Sequence, residues 1–181
     1  MSNVTTLTEA VRTAVEGVLD PELPAVTIGM LGMIHDVRVD EGRVEVELLP
    51  TWSGCPATDV IGADVAAAVR AVPGVTDVTV RFRFAPPWTS DRINAEGRER
   101  LREFGITPPV APHDAQPGTD VYRLRPDSGA NSVHVGLMAR RACPYCGSDD
   151  TSLDSAFGPT PCRSIHLCAS CRQPFEAFKA L

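Results

Sequence analysis

Five of the six cysteines, Cys143, Cys146, Cys162, Cys168 and Cys171, fall within 29 residues, while Cys55 stands alone in the first half of the chain. Four of the five form two Cys-x-x-Cys knuckles, Cys143-Pro144-Tyr145-Cys146 and Cys168-Ala169-Ser170-Cys171, separated by 21 residues. Each knuckle is a tight turn that points two thiolates to one side, and two of them complete a tetrahedral shell around one ion. Gly147 supplies the permissive backbone that such a turn requires. Cys143, Cys146, Cys168 and Cys171 are therefore the expected metal ligands, with structural zinc as the expected ion. Four thiolates also hold the single iron of rubredoxins, and spacing alone does not separate the two metals. Energetics favour a metal clamp. A module of about 46 residues is near the size at which an apolar core stops sufficing. Structural zinc contributes an apparent ~10–16 kcal/mol, against ~1.5–3 kcal/mol for burying each of Phe157, Leu167, Phe175 and Phe178. Cys162 stays open between buried apolar filler, alternative ligand and reactive group. His166, two residues before Cys168, reads as a surface or packing residue, because four sulfurs already complete the shell.

The sixth cysteine lies in Thr51-Trp52-Ser53-Gly54-Cys55-Pro56-Ala57, between a strand and a helix. Pro56 suits the first helical position, which places Cys55 at or beside the N-cap. There the positive end of the helix dipole favours thiolate, the form that binds metals or attacks electrophiles. Gly54 argues for close backbone approach, so a working thiol is preferred to a buried small hydrophobe. Asp20-Pro21-Glu22 is a second polar loop, whose carboxylates read equally as hard ligands, docking contacts or a plain helix stop. His35, at the start of a strand, joins Cys55 only if the sheet brings them together.

The elements that must position these residues follow from periodicity. A helix is expected over 8–19, with Val11, Val15, Val18 and Leu19 as one apolar stripe. A hairpin follows, 34–39 and 44–49 around Asp40-Glu41-Gly42-Arg43, with Val37 and Val39 facing inward alongside Val44, Val46 and Leu48. A helix over 57–72 buries Ile61, Val65, Ala68, Val69 and Val72 and stops at Pro73-Gly74. A third strand, 75–84, alternates Val78, Val80, Phe82 and Phe84 against Asp77, Thr79, Arg81 and Arg83. An amphipathic helix over 91–104 ends at Gly105. The fold class is thus α+β: a small three-stranded sheet with helices on one face, followed by a small β zinc-ribbon domain. The ribbon's strands are expected at 151–157 and 163–167, joined by Gly158-Pro159-Thr160-Pro161. Domain bounds are 1–105, a proline-rich linker over 106–136, and 137–181; a short strand at 121–124 is a further expectation.

Composition excludes several classes. The net charge is −6, and 1–107 holds 10 basic and 16 acidic side chains with no basic stripe, so the electrostatic footprint of nucleic-acid binding is missing. Arg makes up sixteen of the seventeen basic residues, which reads as codon bias rather than as a set of phosphate forks. No apolar run approaches the ~18 residues of a membrane helix, and no secretory signal is visible at the start. Together with clustered cysteines, this reads as a cytoplasmic protein in a reducing compartment. Nucleophile-elbow, paired Glu-x-x-His and phosphate-loop motifs are all missing, against an enzyme acting on its own.

With these residues in hand, the first hundred positions resemble the small iron–sulfur-assembly domain family. Its marks are an Asp-Pro-Glu loop after the first helix, here Asp20-Pro21-Glu22, and a reactive cysteine after a Thr-rich strand end, here Thr51 to Cys55-Pro56. The Ile28-Gly29-Met30-Leu31-Gly32-Met33-Ile34 segment is similar to the family's Leu-Gly turn. With Ala85-Pro86-Pro87-Trp88-Thr89 and the C-terminal ribbon ending at Lys179, nearly the whole chain resembles the D-subunit family of the multicomponent phenylacetyl-CoA epoxidase of bacterial phenylacetate degradation. The resemblance implies an accessory protein that helps assemble or deliver the metal or Fe–S centre of partner subunits. Cys55, with Asp20 and Glu22, would handle transient iron or an Fe–S cluster. The implied partners are the other epoxidase subunits, the Fe–S flavin reductase foremost. A rubredoxin-like electron carrier and a purely structural component of the same system are the alternatives. Trp52 and Met33 receive no role.

Overall fold

The computed structural model describes residues 2–109 and 141–179; the strand expected at 121–124 lies outside them. The chain divides into two compact units, Met1–Gly97 and Arg98–Leu181.

In the first unit, α1 (Ser2–Glu16) buries Val11 and Val15 completely. It ends earlier than the apolar stripe suggested. Gly17 and Val18 close the last turn onto Thr13 and Val15 carbonyls, and the chain then forms a hairpin of β1 (Leu19–Asp20) and β2 (Leu23–Thr27). Leu19 leaves the stripe and is exposed. The hairpin is hidden in the sequence because Pro21 and Pro24 disguise it and its first strand has only two residues.

β3 (Ile34–Asp40) and β4 (Arg43–Leu48) pair antiparallel, Val37 opposite Val46 and Val39 opposite Val44. The two-residue turn between them has φ 48 at Glu41 and 84 at Gly42, the left-handed pair that matches strand twist in tight hairpins. α2 (Thr58–Arg70) crosses over to β5 (Asp77–Phe82), which runs parallel to β4, giving the sheet order β3-β4-β5. α1 packs on α2 and β3, and α2 on β5. That covered face buries Val37, Val44, Val46, Leu48 and Val78 with Ile61, Val65 and Val69 of α2. The opposite face carries ion pairs, among them Arg83–Glu47 at 2.9 Å and Arg38–Asp36 at 2.7 Å. The alternation expected through residue 84 ends sooner: Phe82 is half-buried, and Phe84 lies beyond β5 and is exposed.

The single helix expected over 91–104 is two elements, a 3-10 turn (Ser90–Arg92) and α3 (Ala95–Glu103). Asn94 separates them by capping α3, its side-chain oxygen accepting the Gly97 N–H at 2.7 Å, as an asparagine preceding a helix does.

The second unit contains a four-stranded sheet, ordered β6-β9-β8-β7, where two strands were expected. β7 (Thr151–Ser155) and β8 (Arg163–Cys168) pair antiparallel with a register shift near Ser155. β9 (Pro174–Phe178) adds antiparallel to β8 and carries the buried Phe175 and Phe178. β6 (Ile106–Thr107) pairs parallel with β9, so the first two residues assigned to the linker are strand. Phe157, expected to contribute to the core, is 75% exposed because the chain leaves the sheet at Ser155. The architecture is α+β, a helix-covered three-stranded sheet followed by a small β ribbon. Among the described residues no helix is long and apolar enough to cross a membrane.

Candidate functional site

The two knuckles converge because β7 and β8 are neighbours: the first knuckle precedes β7, the second follows β8, and Thr151 stands opposite Cys168. Both are closed by the same backbone bonds. Gly147 N–H donates to Cys143 O and Arg172 N–H to Cys168 O, each at 2.9 Å; Cys143 N–H reaches Ser148 O at 2.9 Å and Cys168 N–H reaches Gln173 O at 3.1 Å. The residue after each second cysteine is left-handed, φ 72 at Gly147 and φ 60 at Arg172. Glycine takes that conformation without strain, whereas arginine holds it only because the knuckle closes around it. Ser148 and Ser170 hydroxyls meet at 2.7 Å, and Ala169 N–H donates to Asp150 O at 2.8 Å, tying one knuckle to the other.

The Sγ atoms of Cys143, Cys146, Cys168 and Cys171 all lie within 4.8 Å of one another. Cys143–Cys171 and Cys146–Cys168 are each 3.6 Å apart. Four sulfurs about 2.3 Å from a central ion stand about 3.8 Å apart along each tetrahedral edge, so the donor set has the chemistry and nearly the spacing of a tetrahedral thiolate site. The electrostatics agree. The Cys171 backbone N–H on the Cys168 sulfur lowers that thiol to about 7. At Cys146 the Ser148 N–H pulls the same way, but desolvation and the three neighbouring sulfurs outweigh it and push the thiol up to about 12. Cys171 is also raised: the Gln173 N–H opposes the shift, and desolvation and the sulfurs of Cys168 and Cys143 prevail. Several thiolates in this volume repel one another, and a bound cation removes that repulsion by ionising them together.

His166 and Cys162 lie outside the sulfur cluster. His166 is buried, stacks on Phe175 with ring centroids 5.4 Å apart, and shares a 3.0 Å hydrogen bond with Ser164 Oγ. It is a packing residue of the interior rather than the surface. Cys162 is buried with its sulfur 3.1 Å from the Thr160 hydroxyl. Arg163 binds the same hydroxyl at 2.7 Å and pairs with Glu176 at 2.6 Å.

Cys55 is half-buried in the β4–α2 loop, at the end where the parallel strands β4 and β5 terminate. The N-cap of α2 is Ala57, not Cys55. Pro56 occupies the second position of a turn that precedes the helix, in which Thr58 N–H and hydroxyl both donate to Cys55 O, at 3.4 and 3.1 Å. Gly54 is exposed, and a Cβ there would meet only the Trp52 ring at 4.0 Å, so no backbone presses on it as its identity suggested. Asp20 is buried, and its Oδ1 accepts the backbone N–H groups of Glu22 and Leu23 at 2.8 and 2.9 Å. It shapes the hairpin turn that carries the half-buried Glu22. His35 is exposed on β3, where its charge acts on Glu47.

Two residues matter more than their sequence context announces. Trp88 is buried and donates its indole N–H to Leu31 O at 2.9 Å, and Arg92 donates to Gly32 O and Ile34 O at 2.6 and 2.8 Å. The signal was present in Pro86-Pro87-Trp88, an indole next to two prolines, but its partner was not.

Residues 8–82 match the model of the iron–sulfur cluster assembly protein family, and residues 128–179 match that of the PaaD zinc beta ribbon domain. The chain is 38% identical to the D subunit of the 1,2-phenylacetyl-CoA epoxidase of Escherichia coli, over 90% of this chain and 86% of that one. It is also 38% identical to an Fe-S protein maturation auxiliary factor of Bacillus subtilis, over 49% of this chain and 86% of the relative. The crystal structure of a DUF59 domain from Bacillus anthracis aligns with a TM-score of 0.51 and 29% identity, covering 54% of this chain and 92% of that one. With near full-length similarity and a family model on each half, the chain belongs to the D-subunit family of phenylacetyl-CoA epoxidases, in which an iron–sulfur-assembly domain is joined to a PaaD zinc beta ribbon.

Proposed function

We propose that this protein is a cytoplasmic accessory factor that assists assembly of the metal or Fe–S centre in partner subunits of a 1,2-phenylacetyl-CoA epoxidase system, the Fe–S flavin reductase foremost. The observation that carries this reading is Cys55, a half-buried thiol in a loop at the carboxyl end of a parallel strand pair, within a unit that matches the iron–sulfur-assembly family. Ligands of α/β layers commonly sit at that end of the strands. The names of the relatives, an epoxidase component and an Fe-S maturation factor, point the same way. Iron or a cluster is cargo here: the Cys55 sulfur takes it as thiolate, Asp20 shapes the neighbouring loop, and Glu22 offers a carboxylate to cargo or partner.

In the ribbon, Cys143, Cys146, Cys168 and Cys171 would hold one structural zinc, whose chemistry is to neutralise four thiolates and lock two turns together. The same donor set suits a single iron, which would make the ribbon an electron carrier. Metal analysis and visible absorption separate the two, since a zinc site is colourless. The functional test is to express the oxygenase components with wild-type protein or with Cys55→Ala, and to measure iron and acid-labile sulfide in each purified partner. The expected result is a folded, metal-loaded variant and a cluster-poor reductase. Full occupancy of every partner with the variant overturns the reading.

A further inference from the structure

The iron–sulfur-assembly match stops at residue 82, yet the compact unit runs to Gly97. The fifteen residues between contain three well-buried side chains, Trp88, Ser90 and Ile93, and four hydrogen bonds from this stretch converge on one place, the 28–34 turn. Asn94 N–H donates to Met30 O at 3.0 Å. The Trp88 indole takes Leu31 O, and the Arg92 guanidinium spans Gly32 O and Ile34 O. The remaining carbonyl, Met33 O, accepts the Leu49 N–H at 2.7 Å. Leu49 is the first residue after β4, and the Leu49-Pro50-Thr51 root of the Cys55 loop is buried.

The approach is close enough to demand glycine. A Cβ at Gly32, φ +64, would stand 2.3 Å from Arg92 O, and one at Gly97 would stand 2.8 Å from Met30 O. One side of the turn is thus held by the 88–94 segment and the other holds the root of the Cys55 loop.

We infer that residues 86–94 form a strap that fixes the root of the Cys55 loop through the 28–34 turn, with Trp88 and Arg92 as positioning residues for Cys55. Backbone carbonyls satisfied by side chains from a distant segment have no substitute donor in a water-poor interior. Releasing them frees the turn, and the turn's grip on Leu49 loosens with it. The strap matters functionally only if Cys55 is the working thiol, so the inference rests on that reading. Its test does not, because it reads the loop directly.

The experiment uses full-length, metal-loaded protein. Iodoacetamide labelling of Cys55 is followed by peptide mass spectrometry in Trp88→Phe, Arg92→Ala and Arg92→Lys. Val69→Ala serves as a comparator that cuts a buried α2 side chain far along the helix from Cys55. Losing one or two hydrogen bonds of this kind should raise local opening, and with it Cys55 labelling, by about two- to tenfold. Arg92→Lys should recover part of the Arg92→Ala change, and Val69→Ala should lower stability without accelerating Cys55. A second readout follows from Trp52 and Trp88 being the only tryptophans. In Trp88→Phe the sole indole lies in the Cys55 loop, and its quenching by acrylamide should increase when Arg92→Ala is added. Trp88→Phe retains much of the ring volume, so it decides the matter even where Arg92→Ala does not fold. Cys55 labelling in Trp88→Phe equal to wild type, or equal acceleration in Val69→Ala, overturns the strap.

Discussion

Stripping the ion from the four-cysteine cluster should unfold the ribbon while the Met1–Gly97 unit stays folded. The ribbon's large, fully enclosed aromatic side chains are Phe175 and Phe178, each contributing ~1.5–3 kcal/mol by burial. A structural zinc site contributes an apparent ~10–16 kcal/mol, whereas a whole small domain is stable by only ~5–15 kcal/mol. Removing the ion therefore takes away at least as much as the ribbon can have in reserve. Four sulfurs within 4.8 Å of one another have no other means of ionising together. The two units carry separate reporters. Both tryptophans, Trp52 and Trp88, lie in the first unit, and the amides of β7, β8 and β9 belong to the ribbon. Chelator titration with a chromogenic metal indicator, tryptophan emission and amide hydrogen exchange on one sample then give the answer. The expected outcome is one ion released per chain, loss of protection across β7, β8 and β9, and an unchanged tryptophan signal. Protected β8 and β9 amides after complete metal release would show that the apolar core holds the ribbon and that the energetic argument for the knuckles is wrong.

Asp20→Ala should lower the stability of the first unit by about 1–3 kcal/mol in urea unfolding, because two backbone donors lose their acceptor. Asp20→Asn, which keeps an acceptor oxygen, should lose much less; equal losses would mean that the charge matters and not the turn. Gly32→Ala should cost more than the ~1–2 kcal/mol of a left-handed non-glycine, since its Cβ would stand 2.3 Å from Arg92 O. A wild-type denaturation midpoint would refute the contact between turn and strap. Burial, with the Arg141 charge adding to it, holds the His166 imidazole down to about 4. The folded ribbon thus resists a proton that the unfolded chain accepts near pH 6.5, and stability falls as pH drops from about 6.5 towards 4. His166→Phe retains an aromatic partner for Phe175 and should flatten the melting-temperature slope over that window; an unaltered slope assigns the acid sensitivity to thiolate protonation instead.

The knuckles were legible because residue type and spacing carry all the information there: two cysteines three apart can only bracket a tight turn, and the αL position after them is marked by Gly147. Its counterpart Arg172 has the same φ sign with no mark in the sequence, which shows that the closed knuckle imposes the conformation rather than the residue permitting it. The α2 stripe and the β3–β4 hairpin were legible for the related reason that five or more periodic positions agree. β1, β6 and β9 were not, since two to five residues carry too little periodicity and become strands only when a partner strand is present. Cys55 was located but misplaced by one turn, because Pro56 fits the first position of a helix and the second position of a β-turn equally well. The widest gap is Trp88, whose acceptor is a backbone carbonyl 57 residues earlier. Every residue has a carbonyl, so no pattern of side chains marks which one an indole will find. Ala85-Pro86-Pro87-Trp88-Thr89 and the 28–34 segment therefore stand out in the sequence as two unrelated motifs, and only their shared hydrogen bonds show that one holds the other.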